Sequence, residues 1–301
     1  MNAKNFIRHR TPRFVLSIYH WSLAKLAAFV YQHPSRRLKV IGITGTNGKS
    51  STVLLTATLL RAAGFKVGFS STISFSDGDR DWLNNAKMTM VGRLQLQKLL
   101  KQMIDNGCDY AIIETSSEGI AQYRHSAIDY DVAVFTNLTP EHIEAHGSFD
   151  KYKKAKLKLF QHLTKSNKTP KIIVANLNDK HAPDFLNFPV DKKIGFGFKS
   201  STTSHVDETL KAEKLELTAD GSRFKLNDVS FIIKLVGKYQ AANVLAATAV
   251  AYSQGVSFDT AATALQSISG LPGRMEFIKQ GQPFKVIVDY APEPESLQQT
   301  Y

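Results

Sequence analysis

The sequence predicts an α/β fold of the P-loop type: a mostly parallel sheet with helices on both faces and an antiparallel edge. Three observations support this prediction. Short apolar segments alternate with longer helical patterns from residue 38 onward, as strands and crossover helices do in a parallel sheet. One of these strands runs through a glycine turn into Lys49-Ser50 at the start of an Ala/Leu-rich helix. Later in the chain, two alternating segments joined by Asp220-Gly221 predict an antiparallel hairpin.

Residues 1–37 form a basic leader that precedes the alternating pattern. Large apolar side chains, among them Phe14, Ile18 and Phe29, recur at helical spacing and are flanked by arginines and lysines. Pro34 ends the segment. We interpret the leader as a helix that packs on the main domain, and peripheral contact with an anionic membrane surface is the alternative interpretation.

The main domain is assigned to residues 38–270 on the basis of its alternating elements. Strands are predicted where short β-branched runs are bounded by turn residues, and helices where a helical period ends near a glycine or polar turn. The predicted strands are 38–44, 66–71, 109–113, 131–136, 171–175 and a segment near 193–198, followed by the hairpin strands 210–218 and 223–236. The predicted helices are 49–63, 92–106, 150–163, 238–254 and 257–268, and residues 76–87 and 114–126 are predicted to be polar loops.

Residues 271–301 are assigned to the start of a second domain. The Pro-Gly turn in residues 271–276 indicates a boundary, and two short strand-like segments, 277–279 and 285–289, follow it. A segment of about 30 residues cannot bury a hydrophobic core of its own. We therefore expect it either to pack on the main domain or to begin a further domain.

The turn after the first strand has the layout of a phosphate-binding loop. Gly45 and Gly48 let backbone N–H groups converge on an anion, and the helix that follows adds partial positive charge. Lys49 would reach the terminal phosphates, and the Ser50 hydroxyl would bind Mg²⁺. The match to the general P-loop pattern is incomplete, because the expected first glycine falls on Ile43. An ordinary strand–turn–helix junction is the alternative.

Polar residues also follow two other strands, and the carboxyl ends of parallel strands lie at one edge of a sheet. Glu114 follows a buried strand, which suits a magnesium ligand, although a charged residue at a strand end is also common. His142 and His146 stand four residues apart. A zinc site would need a third ligand, so we favour one histidine that assists magnesium or phosphate binding. The lysines from 151 to 158 are predicted to form a solvated helix face.

Composition excludes several classes of protein. The chain has 43% hydrophobic and 21% charged residues and no apolar run long enough for a membrane span or an export signal. Its single cysteine, Cys108, excludes an internal disulfide and suits the cytoplasm. The net charge of +12 is dispersed along the chain without aromatic–basic interleaving. We therefore predict no nucleic-acid partner and attribute part of the charge to polyanionic small substrates.

Together these motifs resemble the Mur ligase family, and within it the branch that adds the third residue of the peptidoglycan stem peptide. Each stretch alone is weak, but they keep the family's order along most of the chain. The matching stretches are 45–50, 114–117, 135–142 with His146-Gly147, Ala155-Lys156, 237 with 243–247, 271–276 and 288–291. The resemblance implies that residues 38–270 are the ATP-binding central domain of this family and that 271–301 begin its C-terminal ligase domain.

The resemblance also implies roles for individual residues. The loop residues Gly45, Thr46, Asn47, Gly48, Lys49, Ser50 and Ser51 would bind the ATP phosphates, with Asn243 on adenine, Arg274 on the phosphates and Asp289 on the ribose. Ser50 and Glu114 would bind one Mg²⁺ and His142 a second, and Lys49, Glu114, His142 and Lys156 would be the catalytic residues. Lys156 falls where the family carries a lysine carbamoylated by CO₂. Thr89, Ser116 and Arg124 would contact the substrate.

The implied activity is ATP-dependent amide-bond formation between a UDP-MurNAc-peptide and an amino acid, through an acyl phosphate, in cytoplasmic peptidoglycan precursor synthesis. A folylpolyglutamate-synthetase-like ligase and a non-catalytic nucleotide-binding scaffold are the alternatives. The chain departs from the family pattern at Glu118, Gln240 and Pro292. The family's N-terminal domain has no counterpart in the sequence, and its C-terminal domain has only its start. We therefore expect this chain alone to bind ATP weakly without turnover.

Overall fold

The computed structural model describes residues 12–86, 88–141, 146–198, 205–278, 280–290 and 297. The helices are α1 (Arg13–Val30), α2 (Lys49–Ala62), α3 (Arg93–Asp105), α4 (Ser117–Ala121), α5 (Phe149–Thr164), α6 (Ala182–Leu186), α7 (Lys238–Ser253) and α8 (Phe258–Gln266), with a 3₁₀ turn at Pro34–Arg37. The strands are β1 (Lys39–Thr44), β2 (Val67–Ser70), β3 (Ser74–Ser76), β4 (Asp81–Leu83), β5 (Tyr110–Glu114), β6 (Val132–Phe135), β7 (Ile172–Asn176), β8 (Lys192–Gly197), β9 (Glu208–Thr218), β10 (Gly221–Leu226), β11 (Val229–Ile233), β12 (Glu276–Ile278) and β13 (Val286–Val288).

Eleven strands form one sheet in the order β11-β10-β9-β8-β7-β6-β1-β5-β2-β3-β4. The seven strands from β9 to β2 are parallel, and each edge carries an antiparallel pair. Strand β1 lies in the centre, where Ile43 pairs with Glu114 of β5 and Thr44 with Phe135 of β6. The predicted fold class is confirmed, and the register brings the carboxyl ends of these three strands together.

Two apolar layers cover the faces of the sheet. Ile41 and Ile43 of β1 point to a core that contains residues of α2, α7 and α8, whereas Val40 points to a core that contains residues of α3 and α5. This alternation follows from the two-residue period of a strand that is buried on both faces. The central strands are therefore held rigidly between helices, and so are the side chains at their ends.

Three segments differ from the sequence prediction. The predicted loop 76–87 contains β4, whose Trp82 pairs with Phe75 of β3, so this edge of the sheet is also antiparallel. The predicted loop 114–126 contains α4, because the Ser116 hydroxyl accepts a hydrogen bond from the Gly119 N–H at 3.1 Å and caps the helix. The predicted strand 223–236 is two strands, β10 and β11. They are joined by a turn in which Asn227 takes a positive φ of 52°.

The leader helix α1 packs on the main domain, but through a different face from the one its large side chains indicate. Ala24, Ala27 and Ala28 are buried, at 2%, 0% and 0% exposure, and the helix lies against α3. Phe14 and Phe29, in contrast, are 68% and 72% exposed. Small side chains allow the two helices to approach closely. The hydrophobicity of the individual residues does not predict this contact, because it points to the larger side chains instead. Among the described residues, no helix is long and apolar enough to cross a membrane.

Beyond α8, strands β12 and β13 form a separate two-stranded antiparallel sheet in which Glu276 pairs with Val288. Arg274 precedes it and Asp289 follows it. The Met275 N–H donates to Oδ2 of Asp289 at 2.7 Å, which ties the two ends of this small sheet together. The division of the chain at residues 37 and 270 stays a prediction.

Candidate active site

Two glycines of the loop between β1 and α2 stand where no side chain fits. A Cβ atom at Gly45 would lie 1.8 Å from Oγ1 of Thr136. At Gly48 the backbone has a φ of +81°, and a Cβ atom would lie 2.1 Å from Oδ1 of Asn243. Only glycine meets both conditions without strain. The loop therefore passes close to two other elements, the end of β6 and helix α7.

The loop is held from the side by the segment that follows β6. Oδ1 of Asn137 accepts the N–H of Asn47 at 2.8 Å, and its Nδ2 donates to the carbonyl of Asn47 at 3.0 Å. The hydroxyl of Thr136 donates to the same carbonyl at 2.8 Å. The Thr46 hydroxyl lies 3.1 Å from the Tyr152 hydroxyl. These bonds fix the loop backbone before any ligand arrives, and Ser51 is buried just behind it in the first turn of α2.

Lys49 lies at the loop's end with its Nζ 2.6 Å from the carbonyl oxygen of Thr46, to which it donates. Burial lowers the pKa of Lys49, and Glu114 opposes that shift because a nearby carboxylate favours the charged amine. Arg274 lowers the pKa further and Glu141 raises it. The amine is thus positioned among groups of both signs at the start of α2.

Glu114 and Ser50 form a buried pair at the end of β5. The Ser50 hydroxyl donates to Oε2 of Glu114 at 2.9 Å, and the two residues are 3% and 1% exposed. Thr72 donates its N–H to Oε2 at 2.7 Å and its hydroxyl to Oε1 at 3.0 Å. A carboxylate and a hydroxyl at this spacing are the hard oxygen ligands that Mg²⁺ prefers. The pair fits the predicted magnesium site.

Lys156 lies inside the protein, which corrects the prediction that the lysines of α5 form one solvated face. It is 1% exposed, donates to the carbonyl of Gly45 at 2.6 Å and stands 4.4 Å from the centroid of the Tyr152 ring. Burial, and then the nearby Lys49, hold its pKa well below the ordinary lysine value. The uncharged amine is thereby favoured. Residues 152, 156, 159, 160 and 163 form one buried stripe along the helix.

His142 lies outside the described residues. Its neighbour Glu141 is buried and accepts a hydrogen bond from Nδ2 of Asn47 at 3.1 Å. Nε2 of His146 lies 3.0 Å from the Ser117 hydroxyl. Within the described part of the chain, no cluster of three histidine, cysteine or acidic side chains is arranged to hold a metal.

A cavity of about 140 Å³ opens beside the loop, between the ends of β7 and β8 and helix α7. It is lined by Asn243, Tyr239 and Phe196, among others, and also by Gly48. Nδ2 of Asn243 donates to Oε1 of Gln240 at 3.2 Å. Gln240, one of the three residues that depart from the family pattern, therefore orients Asn243. A mixed apolar and amide lining of this kind suits a flat nitrogenous ring.

Arg274 and Asp289 lie near the same cavity. Burial raises the pKa of Tyr239 to about 12, Asp289 adds to the rise and Arg274 opposes it, so both charges are close to this cavity-lining ring. Arg274 donates to the carbonyl of Tyr290 and lies 5.1 Å from the centroid of its ring. Among the described residues the Tyr239 hydroxyl has no hydrogen-bond partner.

The three predicted substrate residues differ in their contacts with the group formed by Glu114, Ser50 and Thr72. The Thr89 hydroxyl is 3.0 Å from the hydroxyl of Thr72, which itself contacts Glu114. Ser116 caps α4. Arg124 donates to the carbonyl of Met90 and, at 2.8 Å, to Oε1 of Gln122. Thr89 is therefore joined to the Glu114 cluster, whereas Ser116 and Arg124 make local contacts that do not reach it.

Sequence reasoning missed four residues that shape the site: Asn137, Glu141, Tyr152 and Tyr239. Asn137 and Glu141 belong to a stretch that was recognised as a strand end but not as the clamp on the loop. Tyr152 could have been found, because it stands one helical turn before Lys156 on the same face of α5. Tyr239 carries no sequence signal of its own, since it lines the cavity only because the first turn of α7 lies beside the ends of β7 and β8.

Comparison with known proteins identifies the family of this chain. The family model "Mur ligase middle domain" matches residues 43–251. The chain is 36% identical over 293 residues to a UDP-N-acetylmuramyl-tripeptide synthetase of Roseiflexus sp., covering 93% of this chain and 57% of that protein. It is 38% identical over 283 residues to a UDP-N-acetylmuramoyl-L-alanyl-D-glutamate--2,6-diaminopimelate ligase of Geobacillus thermodenitrificans, covering 92% and 56%.

A solved structure of a UDP-N-acetylmuramoyl-L-alanyl-D-glutamate--2,6-diaminopimelate ligase superposes with a TM-score of 0.71 at 29% identity, covering 87% of this chain and 53% of that one. The chain thus spans somewhat more than half the length of the relatives it matches. Both the resemblance seen in the motifs and the predicted fold are confirmed. The chain belongs to the Mur ligase family.

Proposed function

We propose that this chain provides the ATP-binding centre of an amide ligase that joins an amino acid to a UDP-MurNAc-peptide in peptidoglycan precursor synthesis. The observation that supports this most is the convergence of Lys49, Glu114 and the buried Lys156 on one glycine loop. The names of the two sequence relatives support the same substrates. They favour this reading over a folylpolyglutamate-synthetase-like ligase or a non-catalytic scaffold.

The chemistry begins with a carboxylate, which does not accept an amine at neutral pH because oxide is a very poor leaving group. A carboxylate oxygen of the peptide attacks the γ-phosphorus of ATP, the bond to the bridging oxygen breaks, and ADP leaves with that electron pair. The acyl phosphate then reacts with the uncharged amine of the amino acid. The C–N bond forms, phosphate departs with the C–O electron pair, and the nitrogen loses its proton.

Individual residues of this chain are proposed to act in these reaction steps. Lys49 and the N–H groups of the loop bind the phosphates and balance the charge that spreads over the γ-phosphoryl oxygens. Asn243 binds adenine in the cavity beside α7, with Arg274 on the phosphates and Asp289 on the ribose. Ser50 and Glu114 would hold one Mg²⁺ and His142 a second, and these ions supply positive charge to the phosphate oxygens when they are bound.

Lys156 is proposed to carry a carbamate. Its uncharged amine can attack CO₂: the N–C bond forms, one C=O electron pair moves to oxygen, and the nitrogen releases a proton. The product is an anion beside Lys49, where it would offset the positive charge of that amine. The 1% exposure of Lys156 and its lowered pKa support this proposal.

Thr89, Ser116 and Arg124 are proposed to face the UDP-MurNAc-peptide, and the use of ATP and a nucleotide-linked substrate supports a cytoplasmic location. We also propose that α1 makes peripheral contact with an anionic membrane surface. The exposed apolar side chains of α1 support that contact, since Phe14, Ile18 and Phe29 are 60 to 72% exposed.

Titration calorimetry tests the nucleotide site first. The chain should bind ATP in the presence of Mg²⁺, and Lys49→Met should weaken binding at least tenfold, which is about 1.4 kcal/mol. Lys225→Met, at an exposed position of β10, is the control and should bind as the wild type does. A folded chain that binds no MgATP would contradict the proposal.

Because we expect this chain alone not to turn over, the substrate is tested in a chain extended through the C-terminal ligase domain. UDP-MurNAc-dipeptide and a panel of amino acids are added, and ADP release and the mass of the product are followed. A folate substrate with glutamate, in a parallel assay, tests the alternative ligase. An amide product formed only from the UDP-linked peptide supports the proposal. Binding of the folate in place of the UDP-linked peptide would refute it.

A further inference from the structure

The outward face of α1 is almost entirely apolar. The residues at this face are Phe14, Val15, Ile18, Tyr19, Trp21, Leu26, Phe29 and Val30, and their exposures range from 40 to 72%. Among the positions of α1 whose exposure the structure describes, Ser22 and Lys25 are the exposed polar ones. A helix that is apolar on its exposed side as well as its buried side normally covers that side with something else.

A pocket of about 540 Å³ opens at one margin of this face, between α1, the C-terminal half of α5 and the segment before β6. Trp21 belongs both to the apolar face and to the pocket wall. The pocket lies at the amino ends of the strands, whereas the phosphate loop lies at their carboxyl ends. It is therefore separate from the ATP site.

The pocket is strongly basic. Lys25, Arg36, Lys158 and Lys165 line it, and Asp129 is the only acidic residue among the lining residues. Asp129 is already bonded to Arg36 at 3.3 Å, which leaves the three lysines without a counter-charge among the described residues that line the pocket. Like charges that line one pocket repel one another, so an anion in the pocket would stabilise the arrangement.

A buried histidine in the pocket wall also lacks a partner. His125 is 5% exposed, and its Nδ1 has no hydrogen-bond partner among the described residues. Its ring stands edge-on to His162 at 5.2 Å between centroids, and Nε2 of His162 donates to the carbonyl of Ile128 at 2.9 Å. Burial, with His162 and Lys158 nearby, lowers the pKa of His125 to about 3, so the ring is neutral. A neutral ring adds no positive charge to the pocket, so the charge of the pocket comes from its lysines and Arg36.

From the pocket and the adjoining apolar face we infer a binding site for the phosphate head group of an anionic membrane lipid, in which Lys158 and Lys165 bind the phosphate while α1 lies in the membrane surface. The inference rests on the proposed membrane contact of α1 and specifies its partner. An apolar face bordered by lysines matches an anionic bilayer, because the acyl boundary accepts the aromatic and aliphatic side chains and the head groups meet the cations. Trp21, at the junction, has the amphipathic ring that is common at this depth.

Vesicle flotation with the full chain tests the inference. We compare vesicles of phosphatidylcholine alone with vesicles that also contain phosphatidylglycerol. The pocket variant is Lys158→Gln with Lys165→Gln, which leaves α1 unchanged. The control is Lys225→Gln with Lys234→Gln, which removes the same charge from exposed positions of the β10–β11 edge. Phe29→Ser on α1 tests the apolar face separately.

The wild type should float only with phosphatidylglycerol present. The pocket variant should lose roughly tenfold or more in partitioning, and the control less than threefold, since each lysine that faces an anionic surface contributes about a fivefold factor. Phe29→Ser should also weaken flotation. If the pocket variant and the control lose partitioning equally, the head-group site in the pocket is overturned, but the membrane contact of α1 is not. If the wild type does not float but still binds ATP, the head-group site and the membrane contact of α1 are both overturned, whereas the proposed ligase function is not affected.

A fluorescence arm distinguishes the lipid from free phosphates. The chain has two tryptophans, so Trp82→Phe leaves Trp21 as the reporter in the pocket. Its emission should shift to shorter wavelength with phosphatidylglycerol vesicles and stay unchanged with millimolar glycerol 3-phosphate or inorganic phosphate. A saturating response to a free phosphate without flotation would overturn the lipid as the ligand. Reversible dimerisation in sedimentation, abolished by Phe29→Ser and without flotation, would make a second copy the occupant.

Discussion

Replacing Glu114 by glutamine should separate the metal-binding role of this carboxylate from its role in folding. Oε2 accepts hydrogen bonds from the Ser50 hydroxyl at 2.9 Å and the Thr72 N–H at 2.7 Å, and Oε1 accepts from the Thr72 hydroxyl at 3.0 Å. The amide oxygen of glutamine can take the first two bonds. Its NH₂ group can donate to the Thr72 hydroxyl, which lies 3.0 Å from the hydroxyl of Thr89 and can donate there in turn.

The expected magnitudes follow from this geometry. In Glu114→Gln every donor keeps a partner, so we expect the free energy of unfolding to change by no more than about 1 kcal/mol. In Glu114→Ala the Ser50 hydroxyl and the Thr72 N–H lose their acceptor, at about 1–3 kcal/mol for each buried donor, and we expect a loss of about 2–6 kcal/mol. Both variants lose the negative ligand, and both should bind MgATP at least tenfold more weakly than the wild type.

Urea unfolding measures the first quantity, and calorimetric titration with ATP in Mg²⁺ or in EDTA measures the second. Thr72→Val is the matched control, because it removes a hydrogen bond to the same carboxylate and keeps the charge. The reasoning is refuted if Glu114→Gln binds MgATP with wild-type affinity. It is also refuted if Glu114→Gln is as unstable as Glu114→Ala, since the charge would then hold the fold.

Three further predictions concern the loop and two buried bases. Gly48→Ala and Gly64→Ala both place alanine at positive φ, +81° and +88°. Gly64→Ala should cost about 1 kcal/mol of stability, whereas Gly48→Ala should cost more and should also weaken ATP binding in calorimetry, because only its Cβ meets Asn243. The pKa of Lys156 is lowered in the folded state, so between that pKa and 10.5 the unfolded chain binds one more proton than the folded chain. The free energy of unfolding should therefore rise with pH in this range, and its slope should be steeper in the wild type than in Lys156→Met by at most about 1.4 kcal/mol per pH unit. Urea unfolding at several pH values measures this difference. The pKa of His125 is about 3 in the folded chain and 6.5 in the unfolded chain, so the free energy of unfolding should fall by at most about 5 kcal/mol as the pH drops through this range. His125→Gln should remove that part of the fall. If His125→Gln loses as much stability in acid as the wild type does, the buried neutral ring is contradicted.

The sheet and the phosphate loop could be predicted because their signals are local. A run of β-branched residues from 38 to 44 is long enough to identify a buried strand, and glycine followed by lysine and serine marks the turn into a helix. The rule that parallel strands end at one edge then placed Glu114 beside that turn, and the structure has the Ser50 hydroxyl 2.9 Å from this carboxylate. Local pattern and general topology together were sufficient for this part of the site.

Other features depend on partners far away in the sequence. The leader was predicted to be a helix that packs on the main domain, and α3 offers the surface on which its Ala24, Ala27 and Ala28 pack. Nothing in the leader itself specifies that partner. The hairpin of β3 and β4 was missed for a related reason. Strands of three residues are too short to show a two-residue period, and β4 is held by a distant partner, because Arg61 of α2 forms an ion pair with Asp81 at 3.0 Å.

The incomplete match of the loop to the general P-loop pattern has a physical reason in the fold. Ile43, where that pattern has its first glycine, is fully buried and lies in the register of β1 opposite Glu114, and its carbonyl accepts the N–H of Thr115 at 2.8 Å. The strand therefore continues to Thr44, and only four residues remain before α2 begins at Lys49. A glycine at position 43 would remove core packing without loosening the turn. The shorter loop keeps Ser50 close to the strand ends, and this closeness lets one carboxylate of β5 reach the first turn of the helix.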